Sequence, residues 1–349
     1  MIPTKSVPEV LGRARTLVAP ALRAAVDLLS PELQPVAAYH LGWADAEGHP
    51  VPGDGGKGVR PALALLSAEA VGARAEVGVP GGVAVELVHN FSLVHDDVID
   101  GDVERRHRPS VWALFGVGKA VIVGDALLAL AQQVVLEPQR ILNGTANGQV
   151  FDGPRAARLV ADATAAMIAG QALDMAFESL PVVDVEGCLT MEAGKTGALL
   201  GCASAIGAVL AGASGQAVEA LQRYGVELGL AFQAVDDLLG IWGDPLATGK
   251  PAWSDLRARK KTLPIAAALA DGGVDAKELA ELLAAEQLDE AEIARAADLV
   301  ESSGGRAAAK DEADRRLQSA LHALEEAPLA RRAREELVEV ARFVVDREY

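Results

Sequence analysis

The chain has very little cysteine: Cys188 and Cys202 are the only two in 349 residues. Two thiols cannot build a disulfide framework, and nothing at metal-ligand spacing accompanies them, so they point to a reducing compartment and to core packing. Aromatic residues are scarce at 4%, and alternating β-branched runs are few. That combination argues against a β architecture, while abundant Ala and Leu favour helices throughout. Positive charge is also short, with 32 Lys and Arg against 49 Asp and Glu and a formal net charge of -17. Nucleic acid and anionic membrane surfaces are thereby excluded as main partners, and the basic residues present must serve local, specific purposes. The N-terminal MIPTKSVPEVLGRART has no apolar core of a secretory signal. One stretch, Gly197 to Ala213, carries no charge, but it is about one helical turn short of a membrane span and rich in Gly, Ala and Ser. The expectation is a cytoplasmic protein without a transmembrane segment, in which that run forms a buried helix.

Half of the residues are hydrophobic, enough for a sizeable core, and no linker divides the chain, so 1–349 reads as one domain. The spacing predicts helix in 7–40 with an interruption near Pro31 and Pro35, and again from Ala62 to Val71. Further helices are expected over 81–100, Ser110–Glu137, Ala156–Leu180, Val185–Ala213 and 215–240, with Ala/Glu/Arg-rich amphipathic helices from 264 to the end. Loops are expected at 102–109, 138–154 and 243–262.

The chemistry gathers around ELVHNFSLVHDDVIDGDVERRHRP, from Glu86 to Pro109. An apolar helix ends in Asp96, Asp97 and Asp100, followed at once by Arg105 and Arg106. Asp96 and Asp100 are one helical turn apart and share a face, so their oxygens can converge on one cation. Oxygen ligands without sulfur suit a hard ion, most naturally Mg2+, which takes a few carboxylates plus water and phosphate oxygens. The arginines fit as phosphate forks. An isolated DDxxD is also what a solvated helix end looks like, but a second copy weakens that reading. LGLAFQAVDDLLGIWGD, from Leu228 to Asp244, again runs an apolar helix into paired acids, Asp236 and Asp237. Two such helices suggest one cavity with carboxylates on two walls. Lys57 and Arg60, in GGKGVRP, sit at a loop-to-helix junction suited to an anion. The densest basic run, GDPLATGKPAWSDLRARKKT, holds Lys250, Arg257, Arg259, Lys260 and Lys261. GKT at 194–196 lacks both the GxxxxGKT frame and a preceding strand, so it is not a nucleotide-binding P-loop.

In order and spacing, GGKGVRP, HNFSLVHDDVIDGDVERRHRP, GQALD, GKT, FQAVDDLLG and GKPAWSDLRARKKTLP resemble the trans-polyprenyl diphosphate synthases. These enzymes condense an allylic diphosphate with isopentenyl diphosphate. The resemblance implies an all-α, isoprenoid-synthase-type helical bundle around a central cavity, usually as a homodimer. It implies that Asp96 and Asp100 bind two Mg2+ ions bridging the allylic diphosphate (dimethylallyl, geranyl or farnesyl), and that Asp236 holds a third from the opposite wall. Asp97 and Asp237 support rather than ligate, with Asp97 counted in the catalytic set. Arg105, Lys195, Thr196, Gln233, Lys250 and Lys260 fall where the family contacts the allylic substrate. Among them, Arg105, Lys195 and Lys250 neutralise the departing diphosphate. Lys57, Arg60, His89 and Arg106 fall on the isopentenyl diphosphate site, and Gln171 and Asp174 on polar cavity-lining positions.

Two positions depart from the family's pattern. Gly240 stands where many members have a third aspartate, and Trp253 stands where glycine is usual. Asp244 is a possible but distant substitute for the missing acid. Phe91, five residues before the first motif, and Ser92 mark the floor that limits chain length. That pattern resembles synthases of geranylgeranyl diphosphate, with farnesyl or a longer product as alternatives. A class I terpene cyclase shares DDxxD but has no second diphosphate to bind, so GGKGVRP and Arg106 discriminate against it. A non-catalytic subunit of a heteromeric synthase typically loses acids or arginines of the first motif, and none is lost here.

Overall fold

The computed structural model describes residues 8–51, 58–142, 149–245, 251–285 and 287–345. Its contacts form two compact units, one of Met1–Thr164, Cys202–Gln222 and Glu325–Glu339, the other of Ala165–Gly201, Arg223–Leu324 and Val340–Tyr349. Neither is a continuous stretch, and the helices α7 (Gly153–Glu178), α9 (Ala198–Leu210), α10 (Gly215–Trp242) and α16 (Arg331–Val345) contribute residues to both.

The first unit begins with α1 (Glu9–Val26), α2 (Gln34–His40), α3 (Val59–Ala70) and α4 (Ala75–Ile99). Helix α4 packs on α1, α3 and α6 (Val117–Leu136), and most of it is apolar and buried, including Val83, Leu87, Val88 and Val94. Its approach to α3 depends on an absent side chain. A Cβ on Gly78 would run into the Ala64 carbonyl, and one on Gly207 would strike the same carbonyl and the Ser67 hydroxyl. Ser67 Oγ accepts the Gly207 N–H at 2.9 Å and donates to the Ala64 carbonyl at 2.9 Å, so this polar atom is satisfied within the core. Overpacking there costs about 1–3 kcal/mol. Between α5 (Val111–Phe115) and α6, Gly116 takes φ 87 and breaks the apolar stretch that the sequence reads as one helix.

In the second unit, α12 (Leu263–Ala270) is the centre, packing on α8 (Val185–Glu192), α13 (Val274–Ala284), α14 (Glu290–Ser302) and α15 (Gly305–Ala323). Ile241, Leu256, Ile265, Leu279, Ile293, Leu299 and Val300 form one of its apolar clusters. Asp289 and Glu292 make a reciprocal capping box that starts α14 after a polar loop.

Among the described residues, three stretches, Ala75–Ile99, Val117–Leu136 and Val185–Leu210, are long and apolar enough to cross a membrane by length and composition. The first and third are 78% and 72% buried inside the protein, whereas Val117–Leu136 is only 44% buried and exposes Val117, Val121, Ile122 and Leu136.

Candidate active site

At the end of α4 the backbone stays helical through Asp100, whose N–H donates to the Asp96 carbonyl at 2.8 Å. Asp96 and Asp100 therefore keep the one-turn spacing read from the sequence. Asp96 is half-buried and Asp100 exposed, while Asp97, between them, is buried. Arg105 clamps Asp97: its Nε donates to Oδ1 at 2.7 Å, and its Nη2 forms an ion pair with the same oxygen at 2.7 Å. The other oxygen, Oδ2, is shielded from solvent and accepts no hydrogen bond. A buried carboxylate with one idle oxygen is a costly arrangement unless a cation or donor completes it.

The segment expected as a loop at 102–109 is a small hairpin, β1 (Glu104–Arg105) paired antiparallel with β2 (Arg108–Pro109). Its two turn residues, Arg106 and His107, have φ of 54 and 60. That is the geometry of a tight hairpin turn, which ordinarily calls for Asn-Gly. With Arg-His there instead, sequence gave no turn signal, and the left-handed backbone is strained by about 1–3 kcal/mol per residue. Tyr39 and Arg108 hold the hairpin: Tyr39 Oη donates to the Pro109 carbonyl at 2.7 Å, and Arg108 stacks on the Tyr39 ring and donates to the Ala44 carbonyl at 2.7 Å. A cavity of about 380 Å³ opens beside it, lined by Tyr39, His40, Asp97, Arg105, Arg106 and Ser110 among others.

Behind this cavity lies a polar cluster. Arg60 and His40 are half-buried, with Arg60 Nε and His40 Nε2 cut off from solvent and unpaired. Burial, with the nearby Arg106 and Arg105 charges, lowers the His40 pKa to about 3. His89 is driven well below its ordinary value by burial and by Arg60 and Arg106. Burial pushes the Glu86 carboxyl up against the pull of Arg60 and Arg106. Two neutral histidines beside two arginines form a region of net positive charge, where an anion would be strongly attracted. Phe91 is buried and meets His95 edge-to-face at 5.0 Å, and Ser92 Oγ is turned back onto the His89 carbonyl at 2.9 Å. His95 in turn presses on Gly124 of α6, where a Cβ would collide with its ring.

The second unit carries another cavity, of about 210 Å³, lined by Asp174, Glu192, Lys195, Thr196, Gln233, Asp236, Asp237, Asp255, Lys260, Lys261 and Thr262 together with Met191. Lys195 and Thr196 reach it from a single π turn, Ala193–Gly197, inside an otherwise helical stretch. GKT follows directly on the helix α8 rather than on a strand, in keeping with the rejection of a P-loop. The π turn is admitted by Gly170 and Gly194, each of which would place a Cβ onto the other segment's backbone. Lys195 Nζ pairs with Asp174. A chain of contacts then crosses the floor: Thr196 Oγ1 donates to Gln233 Oε1 at 3.1 Å, and Gln233 Nε2 donates to Asp237 Oδ1 at 2.9 Å. The Leu263 N–H donates to Asp237 Oδ2 at 3.0 Å. Burial raises the Asp237 carboxyl to about 7, and burial with the Asp237 charge raises Glu192 well above its usual range, so the pair holds a proton between them. Lys261 is lowered by burial and by Arg259.

A model of the polyprenyl synthetase family matches residues 47–300. The chain belongs to the polyprenyl synthetase family. It is 46% identical over 352 residues to a (2E,6E)-farnesyl diphosphate synthase of Mycobacterium tuberculosis, covering 99% of this chain and 94% of that protein. It is 45% identical to a geranylgeranyl diphosphate synthase of the same species, covering 92% and 91%. A crystal structure of a polyprenyl synthetase from Streptomyces coelicolor superposes with a TM-score of 0.90 at 54% identity, covering 97% of this chain and all of that one. The synthase is thus a prenyl-transferring enzyme of the trans type with the all-α isoprenoid-synthase fold.

Within the first unit the structure brings Asp96, Asp97, Asp100, Arg105 and Arg106 to one helix end, and it places Arg60 and His89 in the adjoining cluster. Within the second it gathers Asp174, Lys195, Thr196, Gln233, Asp236 and Lys260 in one cavity. Lys57 and Lys250 lie outside the described residues. Gln171 is half-buried, with a shielded and unpaired Oε1. Asp244 is exposed and does not line the cavity. Sequence reasoning missed Glu192, Asp255 and Lys261 as cavity residues. Glu192 carried a usable signal, being an acid one residue after Met191 in an otherwise uncharged helix turn, whereas Asp255 looked like one charge in a charged loop.

Proposed function

We propose that this synthase extends an allylic diphosphate (dimethylallyl, geranyl or farnesyl) with isopentenyl diphosphate to geranylgeranyl diphosphate. The observation that carries the reading is the strained hairpin, which sets Arg105 and Arg106 beside the acidic end of α4 while Asp97 is used up in holding Arg105. Backbone strain at two consecutive residues is retained where it places groups for binding.

The donor set fits Mg2+. Asp96, Asp100 and Asp236 offer oxygen only, and the idle Asp97 Oδ2 marks a carboxylate-rich helix end in want of a cation. These three aspartates would hold the ions, three in all by family resemblance, and bound Mg2+ would supply Lewis-acid neutralisation of the departing diphosphate. Arg105, Lys195, Thr196, Gln233 and Lys260, with Lys250, bind and orient the allylic diphosphate and spread the charge that builds as its carbon–oxygen bond breaks. Arg60, His89 and Arg106, with Lys57, clamp isopentenyl diphosphate so that its alkene, rather than water, meets the allylic cation. A new carbon–carbon bond forms, one proton leaves, and the released diphosphate is the base that takes it.

Chain length is read from Phe91, a buried aromatic before the acids with small Ser92 beside it. The farnesyl diphosphate synthase at 46% identity favours a shorter product as the second reading. We also infer a cytoplasmic homodimer built from a single 1–349 synthase domain without a transmembrane segment. The half-exposed apolar face of α6 supports a second copy as its cover, and the interleaved units support one domain. The test is chromatography of products made from isopentenyl diphosphate and each primer in Mg2+. A geranylgeranyl end product is expected, a farnesyl end product would transfer the reading to the shorter synthase, and cyclised hydrocarbon without consumption of isopentenyl diphosphate would overturn it.

A further inference from the structure

Helix α2 ends in two consecutive rings with polar atoms, Tyr39 and His40, and only the first is satisfied within the protein. Tyr39 Oη donates to the Pro109 carbonyl at 2.7 Å, Arg108 stacks on the Tyr39 ring, and Phe115 of α5 meets it edge-to-face at 5.4 Å. His40, the last residue of the helix, is left with Nε2 shielded from solvent and without a hydrogen-bond partner. It lines the cavity of about 380 Å³ beside the hairpin, together with Arg105, Arg106 and Ser110.

Ser110 repeats the observation on a separate element. It is the N-cap of α5, a place where serine ordinarily accepts a backbone N–H of the first turn. Here it makes no such cap, and its Oγ is shielded and unpaired in a residue only 2% exposed. Two polar atoms left unspent in residues that line one cavity describe a site completed by a guest rather than by the chain.

Charge defines the guest. Arg105, Arg106 and Arg108 line the cavity against Asp45 and Asp97, and Asp97 is already paired with Arg105, so the balance favours an anion. His40 also adjoins His89, whose pKa it lowers together with Arg60 and Arg106. Side chains from α2, α3, α4 and the hairpin thus form one group. Burial and the charges of Arg106 and Arg105 hold His40 itself neutral, with a pKa of about 3. Its ring brings a hydrogen bond to this group without a further repelling charge.

Resting on the reading of Arg60, His89 and Arg106 as the clamp for isopentenyl diphosphate, we propose that His40 is a further binding residue of that clamp, directing an Nε2–H from α2 to a diphosphate oxygen beside Arg106. A ring N–H on a phosphate oxygen is a charge-assisted hydrogen bond with a fixed direction. His40 therefore orients the diphosphate, and with it the alkene that must meet the allylic carbon.

A role for His40 in merely bracing the hairpin predicts a different outcome, because the hairpin carries Arg105 as well as Arg106, and loosening it would harm both substrates. Steady-state kinetics of the full-length enzyme in Mg2+ separate the two, with isopentenyl diphosphate varied at saturating allylic primer and then the reverse. His40→Leu keeps bulk and removes the N–H. It is expected to raise KM for isopentenyl diphosphate by about tenfold, the loss of a hydrogen bond to a charged group, with KM for the primer little changed. His40→Gln, whose amide nitrogen reaches about as far as Nε2, should restore the parental KM, and the shorter His40→Asn should not. Arg60→Lys keeps its charge, loses the fork and should raise the same KM. If Arg60→Lys raises it and His40→Leu does not, the role of His40 is overturned while the clamp stands. If neither raises it, both fall. If His40→Leu raises both KM values together and lowers the melting temperature, His40 is a brace and its contact with substrate is overturned. Circular dichroism identifies loss of fold. Should His40→Leu not fold, His40→Gln and His40→Asn decide, since equal KM values for isopentenyl diphosphate in those two overturn the contact.

Discussion

The two acidic motifs look alike in sequence and are finished differently. In both, the first aspartate of the pair is half-buried and the second is buried and consumed in holding a neighbour. Asp97 holds Arg105, a full positive charge, and keeps an idle oxygen. Asp237 has no arginine among its hydrogen-bond donors. It is satisfied by the Gln233 amide and a backbone N–H, and burial is severe enough that it shares a proton with Glu192. A charged clamp fixes an arginine that must meet phosphate, whereas a neutral network fixes Thr196 and Gln233, which can only direct hydrogen bonds. The first site is therefore the stronger electrostatic element and the second the more finely positioned one.

The largest effect that tests this contrast is expected from the metal-facing acids. Asp96→Ala should lower turnover on the order of a hundredfold or more, because stabilisation of the leaving group is lost at the transition state. Asp236→Ala should be severe but smaller, since Asp255 remains in its cavity. Turnover near normal in Asp96→Ala would remove the first site from the chemistry, and a larger loss in Asp236→Ala would reverse the ranking.

Phe91→Ala bears on the first unit alone. A buried phenylalanine truncated to alanine costs about 3–5 kcal/mol where the site cannot collapse, and Phe91 also loses its edge-to-face contact with His95. If its ring floors the substrate tail, products longer than those of the parent should also appear from the same primer. Lower stability with an unchanged product distribution would leave Phe91 as packing between helices.

The clamps themselves should separate by kinetic signature. Asp97→Asn frees Arg105 and should raise KM for the allylic diphosphate and its sensitivity to salt, by roughly tenfold for a lost charge-assisted pair worth about 1.5–3 kcal/mol. Gln233→Leu breaks the link between Thr196 and Asp237 and should lower kcat with little change in salt dependence. Equal salt responses in the two variants would erase the distinction between a charged and a neutral clamp.

How much of this was legible beforehand depends on the distance over which each feature is determined. The apolar period of α4 and α10 and the acids at their ends are local, so the helices and the order of motifs could be read directly. The hairpin at 104–109 could not, because its turn uses Arg106 and His107 with positive φ, against local preference, and Tyr39 and the Ala44 carbonyl hold it from elsewhere in the chain. The break at Gly116 and the π turn at Ala193–Gly197 were hidden for the same reason: apolar periodicity continues through both. Asp255, on the short helix α11 (Ser254–Arg257), is the clearest case. Its carboxylate packs against Gly240, which precedes it in sequence by most of a polar loop, and no periodicity encodes that meeting.

The smallest effects are expected in stability against pH, where the two units should respond in opposite directions. In the first, His40 is held neutral by burial and by Arg106 and Arg105, with a folded pKa of about 3 against an ordinary 6.5. Below about 6.5 the unfolded chain takes up a proton that the folded chain refuses, so stability is lost as pH falls from 6.5 toward 3. In the second unit the folded pKa of Asp237 is raised from 3.8 to about 7, with Glu192 raised alongside it. Between those values the folded chain keeps a proton that the unfolded chain releases, so this contribution is lost as pH rises toward 7. Each group contributes a slope of at most about 1.4 kcal/mol per pH unit within its window. The two windows overlap between 3.8 and 6.5, where the opposed slopes largely cancel, so unfolding free energy measured by denaturant should change little across that range in the parent. His40→Gln should uncover a loss of stability as pH rises and Glu192→Gln a gain as pH rises, with hydrogen exchange locating the first change in α2 and α4 and the second in α8 and α12. If Glu192→Gln leaves the profile as flat as in the parent, the proton shared by Glu192 and Asp237 is not what distinguishes the second site from the first.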